Sequence, residues 1–127
     1  MTNGEPEPGA PRPFRVESAD SGQGCHLVVH GDVDVATAHL LSKAVTDALD
    51  RGRRDVTIDM RSVTFMDSTG LSAILTGREG AVAAGGSLRL TDASSAVRLV
   101  LDATSLTAVL LDRDAEGGTG GDAPPDA

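Results

Sequence analysis

The chain has 127 residues, with no Trp or Tyr and two Phe, so it suits one small domain whose core is built from aliphatic side chains. Its net charge of −8, with no basic stripe, argues against nucleic-acid binding, which depends on neutralising phosphates. No apolar run approaches the ~20 residues that span a bilayer, and the N-terminus lacks a signal-peptide pattern, so we expect a cytoplasmic protein without membrane contact.

The two ends of the chain differ in composition from its middle. Residues 1–12 and 114–127 are rich in Pro, Gly and acidic residues, and we predict disordered tails because such segments bury too little apolar surface to offset their ordering entropy. Residues 13–113 are predicted to form one domain. Short apolar or alternating runs predict five strands, at residues 14–17, 26–30, 55–60, 88–91 and 108–111.

Three amphipathic patterns between these strands predict helices. The first can be capped by Asp34 or Thr37, the second begins near Ser68, and the third is capped by Ser94 or Ser95. Their predicted inward faces consist of Leu40, Leu41, Ala44, Val45, Ala48 and Leu49; of Leu71, Ile74, Leu75 and Val82; and of Val97, Val100 and Leu101. Strands separated by such helices indicate an α/β fold with a mostly parallel sheet of four to five strands, an antiparallel start and three to four helices.

Two loops follow the carboxyl ends of predicted strands, where open α/β sheets bind ligands and partners. One covers residues 31–34 and the other residues 60–70, and we expect the fold to bring them side by side. In the second loop, Phe65 and Met66 either anchor the turn from beneath or form a partly exposed contact surface.

The segment Asp67-Ser68-Thr69-Gly70 has two interpretations. Asp, Ser and Thr all suit a helix N-cap, yet three polar candidates followed by Gly exceed what one cap requires. A phosphate on Ser68 would add a charge of about −1.5 to −2 at a helix N-terminus, where backbone N–H groups favour anions. The segment is therefore either a plain cap or a place where a phosphate is added and removed.

Other chemistries have little support in the sequence. There is no phosphate-binding P-loop and no Gly-x-Ser-x-Gly nucleophile elbow. His26 and His30 lack the paired spacing of a metal site, and Cys25 is the single cysteine. Asp59 is read as a strand-end carboxylate that bonds to backbone or solvent. We therefore expect no catalytic residues, no metal and no cofactor.

Several motifs together resemble the STAS domain of anti-sigma factor antagonists, over residues 14–112. The segment His30-Gly31-Asp32-Val33-Asp34 is similar to the family's strand-to-helix loop, and residues 56–60 followed by 63–71 are similar to its signature. Later matches lie at residues 85–90 and 101–106. Ser105 departs from the family, which commonly has Gly at this turn.

The resemblance implies a function. Such proteins bind an anti-sigma factor that is also a serine kinase, and so release a sigma factor in stress response or sporulation. The kinase phosphorylates the residue that corresponds to Ser68, the modified antagonist dissociates, and a PP2C-type phosphatase restores it. Thr69 is the second acceptor in order of preference. The partner-binding residues implied are Asp34, Met66, Asp67, Ser68, Thr69 and Gly70.

Two further expectations accompany this interpretation. We expect a non-enzymatic protein that is a monomer or a weak dimer, with no direct contact to nucleic acid. The alternative function is a STAS scaffold or nucleotide-binding sensor module, in which Ser68 is only a cap and no phosphorylation switch operates.

Overall fold

A four-stranded sheet and four helices make up the computed structural model, which describes residues 13–111. The predicted tails lie outside these residues. No helix in the described part is long and apolar enough to cross a membrane. The elements are β1 (Arg15–Ser21), β2 (Gly24–Val33), α1 (Ala38–Asp50), β3 (Asp55–Met66), α2 (Ser68–Ala83), β4 (Ser87–Ala93), α3 (Ser95–Ala103) and α4 (Thr107–Leu110).

The sheet has the strand order β1-β2-β3-β4. β1 and β2 form an antiparallel hairpin, whereas β2 with β3 and β3 with β4 pair in parallel, each pair connected through a helix. The predicted α/β class with an antiparallel start is therefore confirmed. This order matters for function because β2 and β3 are central neighbours, and their carboxyl ends meet at one edge of the sheet.

The core lies against one face of the sheet and is aliphatic, as the composition predicts. Along β2, alternate side chains are buried and those between them are half-buried, which is the period-two pattern of a strand with one covered face. α1 and α2 pack closely because glycines face the contact. A Cβ added at Gly77 would lie 3.1 Å from Cγ1 of Val45, and one at Gly80 would lie 3.1 Å from Cδ1 of Leu49. Gly77 is the more confined of the two, because its added Cβ would also lie 3.3 Å from Cδ1 of Leu88, whereas Gly80 faces only the flexible end of Leu49.

The predicted inward faces of the first two helices are only partly correct. Leu41, Val45 and Ala48 of α1 are buried, but Leu40 is 42% exposed. In α2 the residue Val82 is 53% exposed, and its neighbour Ala81 is fully buried instead. The residues of α2 that face α1 are small, among them Gly77 and Gly80. The face of α2 that turns inward is therefore the one that lets the two helices approach closely, and Val82 lies outside it.

The central strands are longer than the sequence predicts, so the two predicted loops are shorter. β2 continues to Val33 and β3 to Met66, which places Gly31 and Phe65 inside strands. The β2–β3 register is irregular at residues 28–30 and again at 31–32, as at a β-bulge, and the two strands pair on both sides of each irregularity. Gly31 has a φ of +94°, a conformation that L side chains rarely adopt, and β2 continues through it to Val33.

The predicted last strand is wrong for residues 108–110. These residues belong to the short helix α4, and only Leu111 forms an isolated parallel bridge, with Leu90 of β4. A run of four apolar residues is compatible with either a strand or a buried helical turn, so periodicity alone does not separate them. The turn that precedes α4 contains Ser105, whose φ of +62° is in the left-handed region.

Asp20 joins the β1–β2 hairpin to the end of α1. Its carboxylate accepts hydrogen bonds from Nε and Nη2 of Arg51, at 2.8 and 2.9 Å, and from Nε of Arg53 at 3.2 Å. The hydrogen bonds from Arg51, supported by Arg53, hold the pKa of Asp20 far below its usual value of 3.8. This cluster lies at the end of the sheet opposite to Ser68.

Ser105→Gly is expected to stabilise the domain. A left-handed conformation strains an L residue but not glycine, and helix ends commonly use glycine there, so the gain should be about 0.5–1 kcal/mol in the free energy of unfolding. Urea denaturation measures it. Ala103→Gly, in the last turn of α3, is the control and should lose stability. A destabilised Ser105→Gly variant would contradict the strain argument.

Asp20→Asn is expected to lower stability at neutral pH but not in strong acid. A carboxylate whose folded pKa is depressed stabilises the fold above its unfolded value of 3.8, and this contribution disappears as the pH falls towards the folded pKa. The difference in urea midpoint between wild type and variant should therefore shrink below that pH. Asp50→Asn, at an exposed position of α1, is the control. A difference that does not change with pH would contradict the linkage.

Candidate functional site

The candidate site lies where β2 and β3 end side by side. Asp32 is opposite Phe65 and Val33 is opposite Met66 in the parallel register, and the backbone N–H of Asp67 donates to the carbonyl oxygen of Val33 at 3.3 Å. The segment after β2 and the segment after β3 are therefore neighbours, as the sequence predicts. Parallel pairing produces this arrangement, because it brings the carboxyl ends of both strands to the same edge.

Asp67 is the N-cap of α2. Its backbone is extended, and its Oδ1 accepts hydrogen bonds from the backbone N–H groups of Thr69 at 2.9 Å and Gly70 at 3.2 Å. The carbonyl oxygen of Asp67 accepts the first helical bond, from the N–H of Leu71 at 3.1 Å. A short carboxylate at the N-cap satisfies donors that a helix start otherwise leaves unpaired. Of the three capping candidates in the sequence, Asp67 therefore performs this role.

Ser68 is the first residue of α2, and its side chain is free of that structural task. The residue is exposed, and within the described residues no group hydrogen-bonds to its hydroxyl. Thr69 is also exposed, although its backbone N–H is held by Asp67. A helix N-terminus with an unengaged hydroxyl at its first position can accept an anion without losing a cap, because the capping oxygen belongs to another residue.

Met66 and Phe65, adjacent in β3, have opposite environments. Met66 is 4% exposed and belongs to the core, whereas Phe65 is 47% exposed. Met66, which the resemblance implies as a partner-binding residue, is therefore buried and fits the interpretation as an anchor of the turn, whereas the interpretation as a contact surface stays a prediction for Phe65. The side chain of Met66 supports the turn from beneath, and that of Phe65 is exposed near the carboxyl end of β3, opposite Asp32.

Gly70 is where α2 comes closest to β2. An added Cβ would lie 2.7 Å from Cγ1 of Val33, 2.8 Å from Cγ of Met66 and 3.0 Å from the carbonyl oxygen of Val33. Separations of this kind are shorter than van der Waals contact, and one of the obstructing atoms is backbone. Gly70 therefore sets the distance between the start of α2 and the end of β2, and so the position of Ser68.

Asp34 organises the turn between β2 and α1. Its Oδ1 accepts from the backbone N–H of Ala36 at 2.9 Å, and its own N–H donates to Oγ1 of Thr37 at 3.0 Å. The Thr37 hydroxyl in turn donates to the carbonyl oxygen of Asp32 at 2.7 Å. Thr37 occupies the N-cap position of α1 without a side-chain capping bond. The turn thus holds Asp34 at the same edge of the sheet as Asp67.

Three carboxylates lie at the edge of the sheet where β2 and β3 end and α2 begins with Ser68: those of Asp32, Asp34 and Asp67. Asp32 accepts from Oγ1 of Thr64 at 2.5 Å, and the other two accept from the neutral donors described above. Within residues 13–111 none of the three takes part in an ion pair, whereas Asp20, Asp59 and Asp92 do. The edge around Ser68 is consequently acidic.

Asp59 lies within β3 and not at its end, next to an irregularity in the β3–β4 register. It is 8% exposed, and its carboxylate accepts from the backbone N–H of Arg61 at 3.0 Å and from Nε of the same residue at 3.1 Å. Burial opposes ionisation, but the hydrogen bonds and charge of Arg61 outweigh it and lower the pKa of Asp59. The prediction that Asp59 bonds to backbone is confirmed.

His26, His30 and Cys25 lie elsewhere, whereas His39 is exposed in the first turn of α1. Nδ1 of His26 is 2.7 Å from Oγ1 of Thr57, and Nε2 of His30 is 3.3 Å from Nη2 of Arg15. Cys25 is buried, and burial raises the pKa of its thiol, which leaves the thiol protonated at neutral pH. No group of three or more His, Cys, Asp or Glu residues in the described part is arranged to hold a metal ion.

The sequence did not identify Val35 as a residue of this edge. It lies in the turn after β2 and is 78% exposed, the most exposed large apolar side chain in the described part. An apolar residue directly after Asp34, outside the helix pattern, was the available signal. Exposure of this kind is decided by the path of the turn, which the sequence alone did not give.

A comparison with protein-family models matches residues 16–112 to the family described as "Mlab, STAS domain". No curated protein sequence matches the chain. The matched region contains every residue of the candidate site.

Solved structures share the fold. An anti-sigma factor antagonist from Mycobacterium paratuberculosis is 22% identical, with a TM-score of 0.68 over 78% of this chain and 85% of that one. The anti-sigma factor antagonist SpoIIAA in its unphosphorylated form is 19% identical, with a TM-score of 0.67 over 85% of this chain and 95% of that one. At these identities the likeness is one of fold.

Gly70→Ala is expected to destabilise the domain by about 1–3 kcal/mol, because the added methyl group meets backbone and packed side chains. Urea denaturation measures the loss. Gly80→Ala is the matched control. Its added Cβ meets only the flexible end of Leu49 at 3.1 Å, and the helix gains about 1 kcal/mol of propensity. Equal effects of the two substitutions would contradict the role assigned to Gly70.

Proposed function

The chain belongs to the STAS-domain family, and we propose that it acts as an anti-sigma factor antagonist. In this proposal the unphosphorylated form binds an anti-sigma factor that is a serine kinase, and the sigma factor is released. Phosphorylation of Ser68 by that kinase, with ATP as the phosphate donor, ends the binding. A PP2C-type phosphatase removes the phosphate and restores the antagonist. Asp34, Asp67, Ser68 and Thr69 form the partner-binding surface, and Met66 and Gly70 position it.

The observation that carries the proposal is the division of labour between Asp67 and Ser68. Asp67 satisfies the N–H groups of Thr69 and Gly70, so the helix start does not need the Ser68 hydroxyl. A kinase can therefore modify Ser68 without uncapping α2. The likeness in fold to two structures named as anti-sigma factor antagonists supports the same assignment.

A phosphate on Ser68 would change the surface more than the fold. It adds about −1.5 to −2 charge to an edge that already carries Asp32, Asp34 and Asp67 without an ion pair among the described residues. A partner that covers the neutral hydroxyl would have to desolvate a dianion instead, which is costly unless the charge is paired. Loss of binding follows from that cost and does not need unfolding of the domain.

The proposed role requires no catalysis by this chain. The kinase and the phosphatase supply the chemistry, and the antagonist supplies an accessible acceptor on a rigid frame. We propose accordingly that the protein is not an enzyme and acts in the cytoplasm as a monomer or weak dimer.

Ser68 is expected to be the phosphate acceptor. A pull-down from the native cell with the unmodified chain identifies the kinase, and incubation of the purified pair with ATP followed by mass spectrometry locates the phosphate. Ser68→Ala should abolish the modification and keep the partner bound, since the capping bonds of Asp67 remain. Thr69→Ala, at the neighbouring exposed hydroxyl, is the matched control and should still be phosphorylated.

Two results would count against the proposal. A phosphate found elsewhere, or unchanged in Ser68→Ala, would exclude Ser68 as the acceptor. Partner affinity that is the same before and after stoichiometric phosphorylation would favour the alternative, a STAS scaffold or nucleotide-binding sensor without a switch.

A further inference from the structure

Six large apolar side chains are exposed in the described part of the chain, and two of them flank the Ser68 edge. Val35, 78% exposed, follows Asp34 in the turn after β2, and Phe65, 47% exposed, lies opposite Asp32 in the register of β2 and β3. The other four lie in helices, in the first turn of α1, at the end of α2, on α3 and on α4: Leu40, Val82, Leu99 and Val109. Val35 and Phe65 are the two that adjoin the carboxylates directly, Val35 next to Asp34 in sequence and Phe65 opposite Asp32 in the strand register.

The fixed charges of this edge are negative. Residues 31–42 and 62–77 contain Asp32, Asp34 and Asp67 but no Lys or Arg, and the one other titratable side chain in these two segments is that of His39. Hydrogen bonds from Thr64, from Ala36 and from the start of α2 hold these carboxylates, and all of those donors are neutral. The carboxylates are thus fixed in position while their charge remains available to an incoming group.

We propose that Val35 and Phe65 are the apolar anchors by which the Ser68 kinase recognises the unphosphorylated chain, and that the kinase meets them with an apolar surface bordered by Arg or Lys side chains. This inference rests on the function proposed above and specifies the chemistry of its partner. Exposed aromatic and aliphatic side chains gain most from burial at the centre of an interface. Cationic groups at the border would pair with Asp32, Asp34 and Asp67.

The arrangement separates two contributions to binding. The apolar anchors act over short distances, so they determine how long the complex lasts. The carboxylates act over about 10 Å at 0.1 M salt and about 3 Å at 1 M, so they favour association with a basic face and weaken as salt is added. Ser68 lies at the same edge, which places its hydroxyl where the complex excludes water.

The test measures the affinity of the full chain for the kinase that phosphorylates Ser68, by isothermal titration calorimetry without ATP. Phe65→Ser should weaken binding roughly 10- to 100-fold, and Val35→Ser should weaken it by a smaller factor. Phe65→Leu, which keeps a large apolar side chain, should bind much more tightly than Phe65→Ser and retain most of the wild-type affinity. Val82→Ser and Leu99→Ser, at positions 53% and 71% exposed on other parts of the surface, are matched controls and should bind like wild type. Wild-type affinity should fall as salt is raised.

The outcomes distinguish this inference from the function on which it rests. If wild type is phosphorylated on Ser68 but Phe65→Ser and Val35→Ser bind as tightly as the two controls, the anchors are wrong and the proposed function stands. If affinity does not fall with salt, the basic border of the partner is wrong. If wild type is neither bound nor phosphorylated, the proposed function itself fails. Thermal unfolding of each variant verifies that the fold is intact.

Discussion

The candidate site depends on the parallel pairing of β2 and β3 up to their last residues. The hydrogen bond from the N–H of Asp67 to the carbonyl of Val33 closes this pairing, and Gly70 allows α2 to begin directly against β2. Since both strands are central and their inner faces are buried, their ends cannot shift without disturbing the core. The turn of Asp34 and the start of α2 are thereby held on one rigid edge, although they are more than 30 residues apart in sequence.

On this edge Asp67 performs the capping, and the proposed modification falls on a different residue, Ser68. Asp67 supplies the oxygen that a helix start requires, and Ser68 is left with an exposed hydroxyl at the first helical position. The helix dipole favours negative charge there, but three neighbouring carboxylates oppose it. This balance agrees with the proposed switch, because the backbone would tolerate a phosphate while the surface that a partner meets would change strongly.

The ion pairs and the aliphatic core of the rest of the domain make it rigid. Arg61 of β3 pairs with Asp59 of the same strand and with Asp92 of β4, and Asp20 with its two arginines holds the hairpin to the end of α1 at the opposite end of the sheet. These ion pairs and the aliphatic core are remote from Ser68.

The sequence by itself determined the class of fold, the order of the elements up to α3, the start of α2 near Ser68 and the proximity of the two loops. Periodicity, caps and glycines encode these features locally, and the order of strands and helices constrains the sheet. Only the tertiary structure decided that Asp67 and not Ser68 caps α2, that Val82 is exposed while Ala81 is buried, and that residues 108–110 are helical. Each of these features depends on which neighbours a side chain contacts. Three adjacent polar residues are compatible with more than one helix cap, and a short apolar run with either a strand or a helix, until tertiary packing selects one of them.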